Sequence, residues 1–296
     1  MKKRIAAAVI KSLLLSLCVS TAASQQSSYT KNIEAWRTEL ETTLKSDNGW
    51  LTVAGLFFLK EGENSFGTNP LNDIVLSQGP QKAGVFNLSS GKITARATPG
   101  EMLLINGNLV SEAQFYPLEK PLELVIENLV LFVHMSGERL AIRLLDTDNT
   151  IRRNFTKRRW YQINETYRVR ARFEPHDKPI KMSLQNILGD TETYWSRGSV
   201  TLLLNGKTLR MLSVDSNDQL WFIFRDLTSG STTYPAGRFL YADKSKDDWI
   251  LLDFNKAYNP PCAFNPYTTC PLPPKENRLQ VKVEAGELNY YTTNKL

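Results

Sequence analysis

Residues 200–212 read VTLLLNGKTLRML, and they show the strand-turn-strand pattern that recurs along the chain. Two apolar runs in this stretch flank the dipeptide Asn205-Gly206. An Asn-Gly dipeptide readily adopts the positive φ angles of a type I′ turn, so the stretch predicts a β-hairpin. The dipeptide Asn106-Gly107 also stands between apolar runs and predicts a second hairpin. The two hairpins indicate antiparallel β structure in both halves of the chain.

Short apolar runs elsewhere predict further strands. Ser136 and Gly137 are typical turn residues and predict a third hairpin. Outside the first two hairpins, the predicted strands are 51–59, 129–135, 140–145, 220–224, 239–242, 249–254 and 279–283. We expect the strands 220–224, 239–242 and 249–254 to pair in sequence as one meander.

One amphipathic helix is predicted ahead of the strands, within residues 25–48. Its apolar residues recur at intervals of four, three, four and four, namely Tyr29, Ile33, Trp36, Leu40 and Leu44. This spacing is one face of a helix of four turns. The turn residues 47–49 end it.

These elements predict a mainly β protein. After the N-terminal helix we expect a β-sandwich-like half, 49–175, and a second antiparallel β half, 176–296. Residues 259–274 hold six of the fourteen prolines and are unsuited to regular structure. Because a predicted strand follows them, we interpret 259–274 as a clasp that closes the second half.

The first 24 residues have the features of a secretory signal peptide. A basic start precedes the apolar run 12–19, and small residues follow up to Ser24. Lipidation of Cys18 is disfavoured because the bulky Leu17 precedes it. Without the four basic residues of this segment, the formal net charge falls from +6 to +2. We therefore predict an exported protein, periplasmic or extracellular, and no membrane span after the leader.

Composition and motifs exclude several functional classes. A net charge of +2 is too small for a globally basic nucleic-acid binder, so no nucleic-acid partner is expected. The chain has two His and three Cys, which excludes most His-rich or Cys-rich metal sites, and no metal or cofactor is predicted. No nucleophile elbow or phosphate-binding loop is present. A basic stretch, 151–172, could contact an anionic envelope component or form an ordinary solvated strand face.

Cys262 and Cys270 are the cysteines that remain after removal of the leader. An oxidising compartment favours their pairing as a disulfide, which would stabilise the clasp. Free structural thiols and a redox or nucleophilic cysteine remain alternatives. A thioredoxin-type site is not indicated, because seven residues separate the two cysteines rather than two.

Polar residues concentrate at the ends of the last predicted strands. They form a candidate ligand-binding set that consists of Arg225, Asp226, Arg238, Asp253, Asn255, Tyr258 and Asn259. Arginine offers a fork of donors to a carboxylate or phosphate, whereas Asn and Tyr fix orientation. Alternatively, these side chains hydrogen-bond the clasp backbone, whose carbonyls lack strand partners.

Three functions are compatible with this set. The first is binding of a small or anionic envelope ligand beneath the clasp. The second is a metal-independent hydrolase, with Asp226 or Asp253 as base and Arg225 or Arg238 as anion stabiliser. The third is a structural envelope protein without a small-molecule site. The sequence leaves open whether the protein is an enzyme.

Several motifs resemble a bacterial and archaeal family, the domain of unknown function 1684. They are GWLTVAGLFFLKEGENSFG at 49–67, FIFRD at 222–226, AGRFL at 236–240, LDFNKAYNPPCAF at 252–264, CPLPP at 270–274 and ENRL at 276–279. The resemblance runs from Trp36 to Glu287, and it implies no activity because the family is uncharacterised. Relatives without export signals share the paired cysteines, which favours free thiols.

Residues 62–68 and 72–76 also resemble the opening of a forkhead-associated β-sandwich. In that family an Arg after the glycine grips phosphate, and here the position is Thr68. The usual Ser-x-x-His is missing from 77–86. The resemblance therefore implies a strand layout and does not extend to phosphopeptide binding.

Overall fold

The fold is described from a computed structural model, which covers residues 28–244 and 248–290. The predicted signal peptide, with Cys18, lies outside these residues. Helix α1 spans 28–45 and buries Ile33 and Leu44, as the spacing of its apolar residues predicts. Within the described ranges, no helix has the length and apolar character needed to cross a bilayer.

The first half is a sandwich of two sheets. One sheet has the strand order β1-β11-β10-β9-β6-β7 and the other β3-β2-β4-β5-β8. The inward side chains of both sheets form one core, in which Phe66, Phe86 and Leu131 are fully buried. The strands are β1 Val53–Phe58, β2 Gly62–Gly67, β3 Ile74–Val75, β4 Gly84–Ser89, β5 Lys92–Ala97, β6 Leu103–Ile105, β7 Asn108–Val110, β8 Glu112–Tyr116, β9 Leu124–Ile126, β10 Leu129–Ser136 and β11 Arg139–Asp146.

The second half follows a one-turn helix, α2, and again contains two sheets. Their strand orders are β14-β13-β12-β18 and β15-β16-β17. A second core lies between them, with Phe222, Phe224 and Phe254 fully buried. The elements are α2 Thr150–Arg153, β12 Arg168–Gln185, β13 Thr191–Leu204, β14 Lys207–Leu212, β15 Val214–Ser216, β16 Gln219–Phe224, β17 Arg238–Asp243 and β18 Trp249–Asp253.

The predicted hairpins are confirmed. Asn205 and Gly206, between β13 and β14, have φ angles of 50° and 74°. Asn106 and Gly107, between β6 and β7, have φ angles of 47° and 81°. Positive φ at both central residues is the type I′ requirement, so the turn residues alone determine these two connections.

Two predictions about strand pairing are wrong. β16 and β17 pair as expected, but β18 hydrogen-bonds to β12 in the other sheet, where Leu252 is opposite Val169. Residues 279–283 form no strand, and side chains donate to several of their carbonyls. Asn205 and Lys207 donate to two of these carbonyls, at 2.8 and 3.1 Å. The division into halves at 175 stays a prediction, and β12 runs through that position.

Candidate functional site

Two members of the predicted site, Arg238 and Asp226, form a completely buried ion pair. Nη2 of Arg238 donates to Oδ2 of Asp226 at 2.8 Å. The same guanidinium donates to the carbonyls of Val283, Ala285 and Glu287. Oδ1 of Asp226 accepts from the amide and hydroxyl of Thr228. Both charged groups therefore hold the C-terminal segment 281–287 against the second core.

A second pair, Asp253 and Asn255, connects helix α1 to the end of β18. The Tyr29 hydroxyl lies 2.9 Å from both carboxylate oxygens of Asp253. Asn255 exchanges hydrogen bonds with the main chain of Asn164, donating at 2.8 Å and accepting at 2.9 Å. Burial and the adjacent Asp253 carboxylate raise the pKa of Tyr29. This network is separate from the Arg238 pair, so members of the candidate ligand-binding set lie in two different networks.

Arg225 contributes its main chain to the fold. Its amide donates to the carbonyl of Asn277 at 3.1 Å, and its own carbonyl accepts from the amide of Leu279 at 2.8 Å. These bonds attach the chain beyond the clasp to the end of β16. Arg225 thus bonds through its main chain, whereas Arg238 bonds through its guanidinium.

A buried ion pair between Arg158 and Glu287 was not predicted from the sequence. Nε and Nη2 of Arg158 donate to the two carboxylate oxygens at 2.9 and 2.6 Å, and both side chains are almost fully buried. Oε2 of Glu287 also accepts from the Asn259 amide at 2.7 Å. Burial raises the pKa of Glu287. The positive charge of Arg158 acts in the opposite direction and lowers it by less. Arg158 belongs to the basic stretch 151–172, but nothing in the sequence marks Glu287 as its partner.

The clasp covers a cleft of about 360 Å³ between helix α1 and the strands β16 and β17. We call it the clasp cleft. Six aromatic side chains line it, namely Trp50, Trp221, Phe239, Tyr241, Tyr258 and Phe264. Leu40, Thr43 and Leu44 of helix α1 form one wall, and residues from Asn259 to Pro271 form another. Tyr258 and Asn259 are the members of the predicted set that line it.

The aromatic side chains that line the cleft pack against one another. The Trp221 ring stacks on Tyr241, with ring centroids 5.9 Å apart, and meets Phe239 edge to face at 4.8 Å. Tyr258 also contacts Phe239 edge to face, at 5.9 Å. Mutual packing of this kind fixes the rings before any ligand arrives, and it presents flat apolar surfaces to the cleft.

Two polar atoms of the lining have no hydrogen-bond partner in the described part of the chain. They are Oδ1 of Asn259 and Nε1 of Trp221, and both atoms are buried. Asn259 is only 2% exposed, and its Nδ2 donates to the carbonyl of Leu288 at 2.8 Å. This bond fixes the amide orientation, so the Asn259 Oδ1 acceptor and the Trp221 Nε1 donor are the two atoms left without a partner among the described residues.

A second, more polar cleft of about 660 Å³ lies on the other side of Tyr241 and Tyr258. Asp253, Arg168 and Lys256 line it together with one face of helix α1. Its carboxylate is already bound by Tyr29 and Asn255, and the Arg168 guanidinium lies 5.0 Å from the Tyr29 ring. The charges of this cleft therefore interact mainly with neighbouring side chains.

Cys262 and Cys270 are free thiols in this structure, so the predicted disulfide is not formed. The turn Pro261–Ala263 directs the Cys262 amide at Sγ of Cys270, which accepts at 3.2 Å. The sulfur thus serves as an acceptor within the clasp. The hydrogen bond from the Cys270 thiol lowers the pKa of Cys262, and burial raises the pKa of Cys270.

The described residues contain no group of three or more side chains that could hold a metal ion. The fold and the cleft together define a mainly β protein with an aromatic cleft beneath a Pro-rich clasp. Two of three comparisons with known proteins give a match. A family model described as "Protein of unknown function (DUF1684)" matches residues 153–288. No curated protein matches the chain.

One solved structure is also similar to part of this chain. It is the solution NMR structure of an uncharacterized protein from gene locus rrnAC0354 of Haloarcula marismortui. The identity is 32%, the alignment covers 46% of this chain and 78% of that chain, and the TM-score is 0.40. The family model therefore accounts for residues 153–288 of this chain. The predicted extension of the resemblance back to Trp36 is not confirmed, and the forkhead-associated resemblance stays a prediction.

Proposed function

We propose that this protein binds a small molecule with a flat, apolar body in the clasp cleft. The unpartnered, buried Oδ1 of Asn259 among six aromatic side chains carries the proposal. The cleft volume of about 360 Å³ falls within the range of roughly 300–1,000 Å³ that is usual for small-ligand sites.

The chemistry of the lining favours a ligand that donates a hydrogen bond. A buried acceptor without a partner destabilises the empty protein, and an N–H or O–H of a ligand would satisfy Asn259. The aromatic walls would meanwhile remove the apolar body of the ligand from water. Few charged groups line the cleft, and Arg158 is bound to Glu287.

A hydrolase using Asp226 is less well supported than a binding protein. Its two carboxylate oxygens accept from Arg238, Thr228 and Val283, and the side chain is completely buried. A general base needs an oxygen within reach of a substrate proton. Asp253 faces a cleft, but Tyr29 and Asn255 donate to both of its oxygens.

Export of the protein is a further part of the proposal, and the first 24 residues support it. The ligand would then be a component of the cell envelope or the extracellular medium. N-terminal sequencing of the native protein should begin near Ser24 or Gln25. A retained Met1, or a lipid on Cys18, would contradict export.

The compartment also determines the oxidation state that we expect for Cys262 and Cys270. We propose that a disulfide exchange partner oxidises the two adjacent thiols after export, taking up two electrons and two protons as it is reduced. Alkylation of unreduced protein from the envelope should then modify neither cysteine. Modification of both would show that they remain thiols.

Fluorescence of a neutral probe tests the binding function. N-phenyl-1-naphthylamine has a flat aromatic body and one N–H donor, and it should bind saturably with one site per chain. Thr43 lines the mouth of the cleft, so T43W should fill it and abolish binding. Thr42 is the preceding residue of the same helix and lines a different surface depression, so T42W should bind normally.

Two results would contradict the proposal. One is absence of saturable binding to the unmodified protein. The other is equal binding by T43W and T42W, which would place the probe elsewhere. Thermal unfolding of the two variants provides the control for folding, since both substitutions replace exposed helix residues.

A further inference from the structure

Arg143 is a buried cation on the outward face of the first sandwich. It lies on β11, opposite Phe132 of β10 and Leu56 of β1, whereas its neighbours Ile142 and Leu144 point into the core. The clasp covers this outward face, and Arg143 is only 5% exposed. A single Arg in the otherwise apolar run 140–145 is the sequence signal that could have identified it.

The guanidinium of Arg143 has no carboxylate partner among the described residues. Its Nε and Nη2 are buried and unpartnered, and it takes part in none of the salt bridges between those residues. Glu192 is an electrostatic neighbour, but its oxygens accept from Asn186 and Tyr194. Burial lowers the pKa of Arg143 to about 10, which still leaves it charged at neutral pH.

This charge lies beside Trp50, one of the residues that line the clasp cleft. Its Cζ is 5.4 Å from the ring centroid of Trp50. His134 donates to or accepts from the lining residue Thr269 at 3.0 Å and lies within electrostatic reach of Arg143.

We propose that the clasp cleft binds an amphipathic organic anion, and that Arg143 binds its anionic group. This inference rests on the proposed function and specifies the class of its ligand. A buried guanidinium without a counter-charge is strongly unfavourable, and an anion would supply the missing acceptors in a charge-assisted pair. The aromatic walls suit the rest of such a molecule. The ligand is thus a flat apolar body that carries one carboxylate, sulfonate or similar group.

A matched pair of probes separates this inference from the proposed function. The anion 8-anilinonaphthalene-1-sulfonate has the ring system of N-phenyl-1-naphthylamine with one added sulfonate. We expect the anionic probe to bind at least ~10-fold more tightly, because the added group pairs with a buried charge. R143M should remove this preference and leave the affinity for the neutral probe unchanged.

The outcomes distinguish the two proposals. Equal affinities for both probes, unaffected by R143M, would overturn the role of Arg143 and preserve the cleft as a binding site. Absence of binding by both probes would overturn both proposals. Preferential binding of the anion that persists in R143M would assign the anionic group to another residue.

The melting temperature of the ligand-free protein gives an independent test of the role of Arg143. In the ligand-free protein, R143M should raise the melting temperature by about 3 °C, because it removes an unpaired buried charge and keeps the apolar volume. R158M is the matched control and should lower the melting temperature, since it leaves Glu287 buried without its partner. A fall with R143M similar to that with R158M would identify Arg143 as a structural residue and overturn the inference.

Discussion

Arg238 and Asp226 form an ion pair of 2.8 Å in which neither side chain is exposed to solvent. The pair closes the connection between β16 and β17, whose ends face each other as Phe224 and Arg238. Its remaining donors reach the carbonyls of the segment 281–287. These two charged residues therefore act on the backbone of a segment that has no strand partner.

R238M should destabilise the fold severely. Removal of one partner leaves the Asp226 carboxylate buried and uncompensated, which costs about 3–5 kcal/mol. Urea unfolding provides the measurement. The double variant R238M/D226L should recover part of the loss, because no charge is then left without a partner. A change of ligand affinity at unchanged stability would instead show that Arg238 belongs to the binding site.

Gly237 and Gly206 should respond differently to replacement by Ala. Both have positive φ, at 114° and 74°, so both replacements strain the backbone by about 1 kcal/mol. A Cβ at Gly237 would also lie 2.5 Å from the carbonyl oxygen of Phe224, whereas at Gly206 it would meet open space. G237A should therefore lower the melting temperature more than G206A, and equal effects would refute the close packing at Gly237.

Stability should decrease in mild acid through His134. Burial, and then the charge of Arg143, lowers its pKa from 6.5 to about 4. Between these values the unfolded chain takes up a proton that the folded protein does not, so stability is full above pH 6.5 and declines as the pH falls towards 4. The loss should be about 1–2 kcal/mol, allowing for solvent screening of this partly exposed ring.

H134Q provides the measurement for that effect. Glutamine does not titrate. The difference in unfolding free energy between the unmodified protein and H134Q should therefore change with pH only between about 6.5 and 4. Carboxylates elsewhere contribute equally to both proteins and cancel in the difference. A difference that stays constant from pH 7 to 4 would show that the pKa of His134 is not lowered.

Cys262 should react with alkylating agents before Cys270 in the reduced protein. Hydrogen bonds from the Cys270 thiol and Tyr234 lower its pKa, whereas burial raises the pKa of Cys270. The thiolate is the reactive form, so mass spectrometry after brief iodoacetamide treatment should find Cys262 modified first. Y234F should slow the reaction by removing one of the hydrogen bonds. Faster alkylation of Cys270 would reverse the assignment.

The parts of the fold predicted from the sequence are those determined by neighbouring residues. Asn205 and Gly206 adopt a turn that depends only on their own φ angles, and the α1 face depends on spacing within eighteen residues. The pairing of β18 with β12 was missed because it joins segments that are far apart in sequence. No local pattern determines which of two adjacent sheets an apolar strand joins.

For the candidate site, too, the sequence predicted only what neighbouring residues determine. Tyr258 and Asn259 were predicted from a dense polar motif, and they do line the clasp cleft. Trp50, Trp221 and Thr43 come from three distant segments, and each reads locally as an ordinary strand or helix residue. Their shared position depends on tertiary packing, which the sequence pattern does not specify.

The contact between Tyr29 and Asp253 spans 224 residues and has a consequence for biosynthesis. The ribosome produces helix α1 first, but its packing partners in β18 and the clasp are made last. Until then the apolar face that includes Ile33 and Leu44 has no surface to cover it. Native contacts of such high sequence separation form slowly, and the nascent chain is exposed to aggregation meanwhile. Helix α1 can therefore reach its native packing only after β18 has been synthesised.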